Sequence, residues 1–331
     1  MARNTRRSNG MKKLQPAVTT LSFQVPTGES YVDIWLAASI ANRRAYKQGF
    51  KPAISGMTLY TSNAGVFSTF ILPETWAMDN AYVKSKAMWN KMNDQVLDDE
   101  PDIQGKYHDF KIAMDANMVA QSVQCQVTPA GKILTPIDEG GNLTSADFTA
   151  ASAPRADWSY STIQIPNDPA SGVTSEFSLH AVGPNQSIAA GDPVDSKGLI
   201  TGYAKSRSRP QEQDPNVPLG EGWMNELFDV GENNEEIRDD LADDNDRPPY
   251  ALIGAASVRE TYPGGSEEFP TLQVHDSAIV SATTVGGKTS IRGLMPACGL
   301  LKFSNTTGAV ATLQIHLVPG TNRGYMCESM E

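Results

Sequence analysis

The chain has 331 residues, 40% of them hydrophobic and 20% charged, with 27 glycines, 21 prolines and a formal net charge of −11. Its length and apolar content support a large packed core, and the composition excludes a disordered polymer. No apolar run reaches the roughly 20 residues of a membrane helix, so no membrane insertion is expected. Three widely separated cysteines, Cys125, Cys298 and Cys327, fit neither a disulfide framework nor a zinc cluster.

Residues 1–13 hold Arg3, Arg6, Arg7, Lys12 and Lys13 without an acid. No apolar segment follows as it would in a secretory signal, so the chain is expected to stay inside the cell. The segment reads as a flexible basic arm, serving solubility, nucleic-acid binding or nuclear import, ahead of a single domain over residues 14–331.

Alternation of apolar and polar residues predicts a first strand over Val18–Val25, with Leu21, Phe23 and Val25 on one face, and a second over Tyr31–Leu36. Asn42 to Gly49 follows as a basic turn, Arg43, Arg44 and Lys47 surrounding Tyr46. Arginine beside an aromatic ring can hold phosphate and stack a base, although an exposed basic turn reads equally well. Strands at 52–60 and 66–72, joined by the turn residues Ser62-Asn63-Ala64-Gly65, predict a hairpin. Pro73-Glu74 opens the clearest helix, in which Met78, Ala81, Tyr82, Ser85, Met88, Trp89, Met92 and Val96 form a packing stripe.

Further strands are expected from His108 to about Met118, at Trp158–Ile165 and at Val173–Ala181, with a long loop over 128–156. Lys205, Arg207 and Arg209 form a second basic cluster in a Pro/Gly-rich loop. From Glu221 to Asp246 eleven carboxylates face the single cation Arg238, and the stripe Leu227, Val230, Ile237 and Leu241 predicts a solvated surface helix, or two interrupted at Gly231. A calcium loop is the sharper alternative there, but its D-x-[DN]-x-[DN]-G pattern is absent. Strands at Tyr250–Val258, Thr271–Val280, Ser290–Leu294, Gly299–Phe303 and Ala309–Val318 complete the pattern. Many evenly spaced strands with few helices predict a mainly β chain, an antiparallel jelly-roll β-sandwich with a few surface helices and long loops.

Signatures of catalysis are weak. Gly287-Lys288-Thr289 ends like a phosphate-binding loop, but Ala282 stands where the motif needs glycine, so it reads as a turn. His108, His180, His275 and His316 lack close metal-ligand spacing, Cys298 has no activating context, and His275-Asp276 are strand neighbours expected on opposite faces. No catalytic residue, metal or cofactor is assigned, and no enzyme is expected.

Several blocks together resemble the capsid proteins of small circular, Rep-encoding single-stranded DNA viruses, environmental and gut-associated members in particular. They are Tyr31-Val-Asp-Ile34, Ala41 to Gly49, Leu72 to Trp76, Trp89 to Asn93, Asp109-Phe-Lys111, Glu226 to Val230, Glu235 to Asp246, Tyr262-Pro-Gly-Gly265 and Cys298-Gly-Leu300. The resemblance implies a jelly-roll subunit that assembles with copies of itself into an icosahedral shell around a single-stranded DNA genome. It further implies a virion protein, passing through the host nucleus or cytoplasm and meeting a host receptor. Arg3, Arg6, Arg7, Lys12 and Lys13 would form the genome-facing arm, with Arg43, Arg44 and Lys47 as inner-surface candidates. Many relatives of that kind carry a longer, more Arg-dense arm. An RNA-virus capsid or nucleoprotein, and a β-sandwich carbohydrate-active protein using a carboxylate pair, are the alternatives.

Overall fold

The computed structural model describes residues 16–99, 109–119, 132–137, 158, 160–166, 174–185, 195–207, 271–281 and 283–330. The arm 1–13, the acidic run 221–246, the expected strand Tyr250–Val258, Arg209, His108 and Cys125 lie outside them. The described chain is mainly β, with antiparallel sheets and few helices. It opens with β1 (Thr20–Val25), β2 (Gly28–Asp33), helix α1 (Ile34–Asn42), β3 (Phe50–Pro52), β4 (Ile54–Tyr60) and β5 (Gly65–Ile71). A long insertion carries helix α2 (Trp76–Asp99), β6 (Lys132–Ile133), β7 (Thr162–Pro166), β8 (Thr174–His180), β9 (Asp195–Gly198) and helix α3 (Leu199–Arg207). The chain returns with β10 (Gln273–Val280), β11 (Lys288–Leu294), β12 (Leu300–Asn305) and β13 (Ala311–Leu317), then β14 (Pro319–Gly320), β15 (Gly324–Tyr325) and β16 (Cys327–Ser329).

Two sheets dominate, β1-β13-β4-β11 and β10-β5-β12-β2-β6. Their pairing is nested: β1 with β13, β2 with β12, β4 with β11 and β5 with β10, all antiparallel. Successive nested pairs fall in alternate sheets, so the chain runs as one long hairpin wound over both, with the insertion at its tip. Inward residues from both sheets, among them Phe23, Met57, Leu59 and Leu313 from one and Val32, Phe67, Leu301 and Phe303 from the other, form a single apolar cluster. Each such side chain, once buried, contributes roughly 1.5–3 kcal/mol to holding the sheets together. A second cluster joins α2, the insertion and the β2/β12 end of the five-stranded sheet through Tyr31, Tyr82, Phe110 and Leu300.

Several sequence expectations are corrected. The strand expected from His108 to about Met118 does not form: among its described residues only Ala113 makes a bridge, to His180, and 116–119 are helical. The β4–β5 turn closes no hairpin, because each strand pairs elsewhere in its own sheet and the turn crosses between sheets. Gly65 serves close approach: a Cβ there would lie 2.6 Å from the Thr307 Cα in the β12–β13 turn. The expected strand Tyr31–Leu36 stops at Asp33, whose Oδ1 accepts from the Trp35 and Leu36 N–H groups at 3.0 and 3.1 Å and caps α1. Finally, Lys205 and Arg207 belong to helix α3 instead of a loop, started by the buried pair Leu199 and Ile200. In α2 the stripe Met78, Ala81, Tyr82 and Trp89 packs as expected, whereas Met88 points outward, 57% exposed.

The outward residues of the four-stranded sheet form three lateral rows. They are Thr20–His316–Gly56–Arg292, Ser22–Gln314–Thr58–Ser290 and Gln24–Thr312–Tyr60–Lys288. At the far end, past Gln24 and Tyr60, Val285–Gly287 forms a single 3-10 turn kinked at Gly286 and runs directly into β11, where a phosphate-binding loop would lead into a helix. Gly287 has φ 61, and a Cβ there would run into the Thr61 carbonyl oxygen. Gly287→Ala is expected to destabilise the protein by about 2 kcal/mol or more, combining a left-handed backbone with a backbone clash. The check is the urea midpoint, and an unchanged midpoint would contradict the close approach.

Candidate nucleic-acid interface

The near end of the two main sheets holds the basic turn. Helix α1 ends at Arg43, whose backbone is left-handed (φ 53) and whose N–H reaches the Ser39 carbonyl. Cations directly after a helix C-terminus face its partial negative charge, which favours arginine there. Asn42 pins the incoming chain: its Oδ1 accepts from Val18 N–H at 2.8 Å, and its Nδ2 donates to Ala38 O and to the Tyr325 hydroxyl. Arg44 Nη1 donates to the Pro16 carbonyl at 3.2 Å. Pro16, three residues past the basic arm, is thereby held against the basic turn.

A third arginine joins them. Arg323, also left-handed (φ 51), donates to the Ala45 carbonyl, and the Tyr46 hydroxyl donates back to the Arg323 carbonyl at 3.1 Å. Arg43, Arg44 and Arg323 are all exposed. Nothing local in the sequence marks Arg323, because only the long-range return of the chain after β13 brings it here. Tyr46 is not a base-stacking platform: it is 4% exposed, and its ring stacks on Trp35 at 5.8 Å and meets Tyr325 at 5.4 Å. It supports the turn from beneath.

Lys47 stands apart from the arginines. Its ammonium lies 3.6 Å from Asp109, with the lysine side chain 62% exposed, so the pair is a weak surface one and part of the charge is already answered. The next residue, Gln48, is fully buried and ties the turn inward. Its Oε1 accepts from Ile112 N–H at 2.6 Å, while its Nε2 donates to the Ile112 carbonyl and to Asp33 Oδ2. Trp158 Nε1 donates to the same Asp33 oxygen at 3.1 Å. Burial pushes Asp33 up to about 6, further than its four donors pull it down. Lys111, pushed down by burial, lies over the Trp158 ring at 5.0 Å.

The remaining reactive groups are placed for structure. Cys298 is fully buried in a tight turn (φ 56), and burial pushes its thiol far up, keeping it protonated. His180 is fully buried, and burial pushes its imidazole down toward the neutral form. A bulge between Val274 and Asp276 overturns the expected opposition of His275 and Asp276. Both reach Arg292, His275 at its carbonyl and Asp276 at its guanidinium. Among the described residues no three His, Cys, Asp or Glu side chains converge as metal ligands would.

The arrangement therefore offers guanidinium donors at the root of a basic arm, on a rigid aromatic base. Such donors grip phosphate oxygens without reading sequence. Comparison with protein-family models, curated proteins and solved structures finds no match to this chain.

Proposed function

We propose that this chain is the jelly-roll coat subunit of a small single-stranded DNA virus, assembling with copies of itself and packaging the genome through sequence-independent phosphate contacts. The observation that carries the reading is the nested pairing of eight strands, outermost with outermost and innermost with innermost, alternating between two facing sheets. That winding fits the double Greek key of jelly rolls, a fold of viral capsid, lectin and cupin domains. Among those, the capsid reading is favoured by the basic arm and by the Arg44 contact that ties its root to further arginines. Blocks carrying the capsid resemblance also meet: Gln48 of Ala41 to Gly49 donates to Asp33 of Tyr31 to Ile34, and Lys47 of the same block pairs with Asp109 of Asp109 to Lys111.

The physics sets the scale. Five arm cations with Arg43 and Arg44 give a salt slope of about 5 on single strands, at about 0.7 per cation, so isolated subunits bind weakly at physiological salt. A shell presenting many arms raises the effective concentration without new contacts. Removing residues 1–13 is expected to lower the slope to about 1.5 and to deplete nucleic acid from the particles while the β body stays folded. Filter binding of single-stranded DNA across salt, with the absorbance ratio of purified particles, measures both. An unchanged slope and unchanged packaging would sink the arm's role.

A further inference from the structure

We infer that the outward face of the four-stranded sheet is a second polyanion surface, along which single-stranded nucleic acid lies with phosphates on Lys288 and Arg292 and a base on Tyr60. This rests on the packaging role proposed above. The chain carries 38 acids against 27 bases, yet none of the twelve positions in the three outward rows is acidic. Two are cations, and the others, apart from Gly56, are hydroxyl, amide, imidazole or phenol groups. None of the twelve is buried.

The five-stranded sheet shows the contrast. There Lys302, on the side away from the inter-sheet core, is only 11% exposed over the Tyr31 ring and is answered twice, by Glu29 at 2.8 Å and Asp115 at 3.4 Å. Lys288 makes no ion pair among the described residues, and its cross-strand neighbour is Tyr60, 37% exposed. An open ring beside an unanswered ammonium combines base stacking with phosphate attraction, which suits sequence-independent single-strand binding. Arg292 is partly answered by Asp276, at 3.3 Å across the sandwich edge, so Lys288 is the stronger charge. His316 is held between the Thr20 and Thr58 hydroxyls at 3.3 and 3.1 Å, which orders the row nearest the arm. Continuity points to the same occupant: the arm root at Pro16 leads within four residues into β1, the edge of this face. A polymer held by the arm therefore meets the sheet next.

The test compares full-length variants for single-stranded oligothymidylate binding, particle size and absorbance ratio. Lys288→Glu with Ser290→Glu is expected to weaken binding about tenfold or more and to lower packaged nucleic acid at unchanged particle size. Tyr60→Ala is expected to weaken binding between about fivefold and a hundredfold. Ser277→Glu, on the outward face of the other sheet, should leave both readouts unchanged. Ser290→Arg should tighten binding, a gain that misfolding does not mimic. Face variants that bind and package like the native chain overturn the inference, as does loss of assembly with oligothymidylate affinity retained, which marks a subunit contact instead. A native chain without nucleic acid in any assembly defeats the packaging reading itself, before the face is in question.

Discussion

Replacing Asp33 with Ala is expected to cost the fold on the order of 4 kcal/mol or more, because three buried donors and one half-buried donor lose their acceptor at about 1–3 kcal/mol each. They are the Trp35 and Leu36 N–H groups, Gln48 Nε2 and Trp158 Nε1. Gln48 has no freedom to turn away, since both ends of its amide are engaged by Ile112. The substitution therefore frees the start of α1, the basic turn and the 109–114 segment together. Asp33→Asn is expected to be milder, keeping an oxygen for the helix cap but setting its amide N–H groups against the Gln48 and Trp158 donors.

Asp33 also gives the protein a pH signature. Its carboxyl is raised in the fold from the ordinary value of 3.8 to about 6. Stability from this group is fully present below about pH 4 and is lost as pH rises through about 6, a swing on the order of 3 kcal/mol for a fully buried group. The stability difference between the native chain and Asp33→Asn should therefore widen in favour of the native chain as pH falls from 7 to 5. Urea unfolding at the two pH values measures it. A constant difference would contradict a charged carboxylate buried at neutral pH.

The second large effect concerns binding. Arg43→Glu with Arg44→Glu places two carboxylates at the arm root, where repulsion of phosphate replaces attraction. Single-stranded DNA affinity is expected to fall about tenfold or more at physiological salt. The Arg43→Gln, Arg44→Gln pair should lose less, reducing the salt slope by about 1.4. Glutamine and glutamate both end short of the Arg44 Nη1 that meets the Pro16 carbonyl, so the difference between the two pairs reports charge and not anchoring. Equal binding by both pairs would mean that the turn only holds the chain entry.

Local periodicity carried much of the fold into the sequence. β1 and β13 alternate in burial as Leu21, Phe23 and Val25 and then Leu313, Ile315 and Leu317 predict, since a strand with one face on a core must repeat every two residues. The α2 stripe was legible for the corresponding helical reason. Helix α1 was not, because Ile34 to Ala38 are all buried and show no polar side to set a period. Pairing partners were also hidden: Ser62 to Gly65 has hairpin composition, but long-range partners place β4 and β5 in different sheets. In the candidate interface, Arg43 and Arg44 were readable as a charge cluster. Arg323 and the inward role of Tyr46 depend on contacts between the two ends of the chain.

The most direct test of the coat-subunit account is size-exclusion chromatography with light scattering and the 260/280 nm ratio, on full-length protein at neutral pH and low salt. The account predicts a megadalton species carrying nucleic acid that resists nuclease until the particle is opened. A nucleic-acid-free monomer at every salt concentration would contradict it.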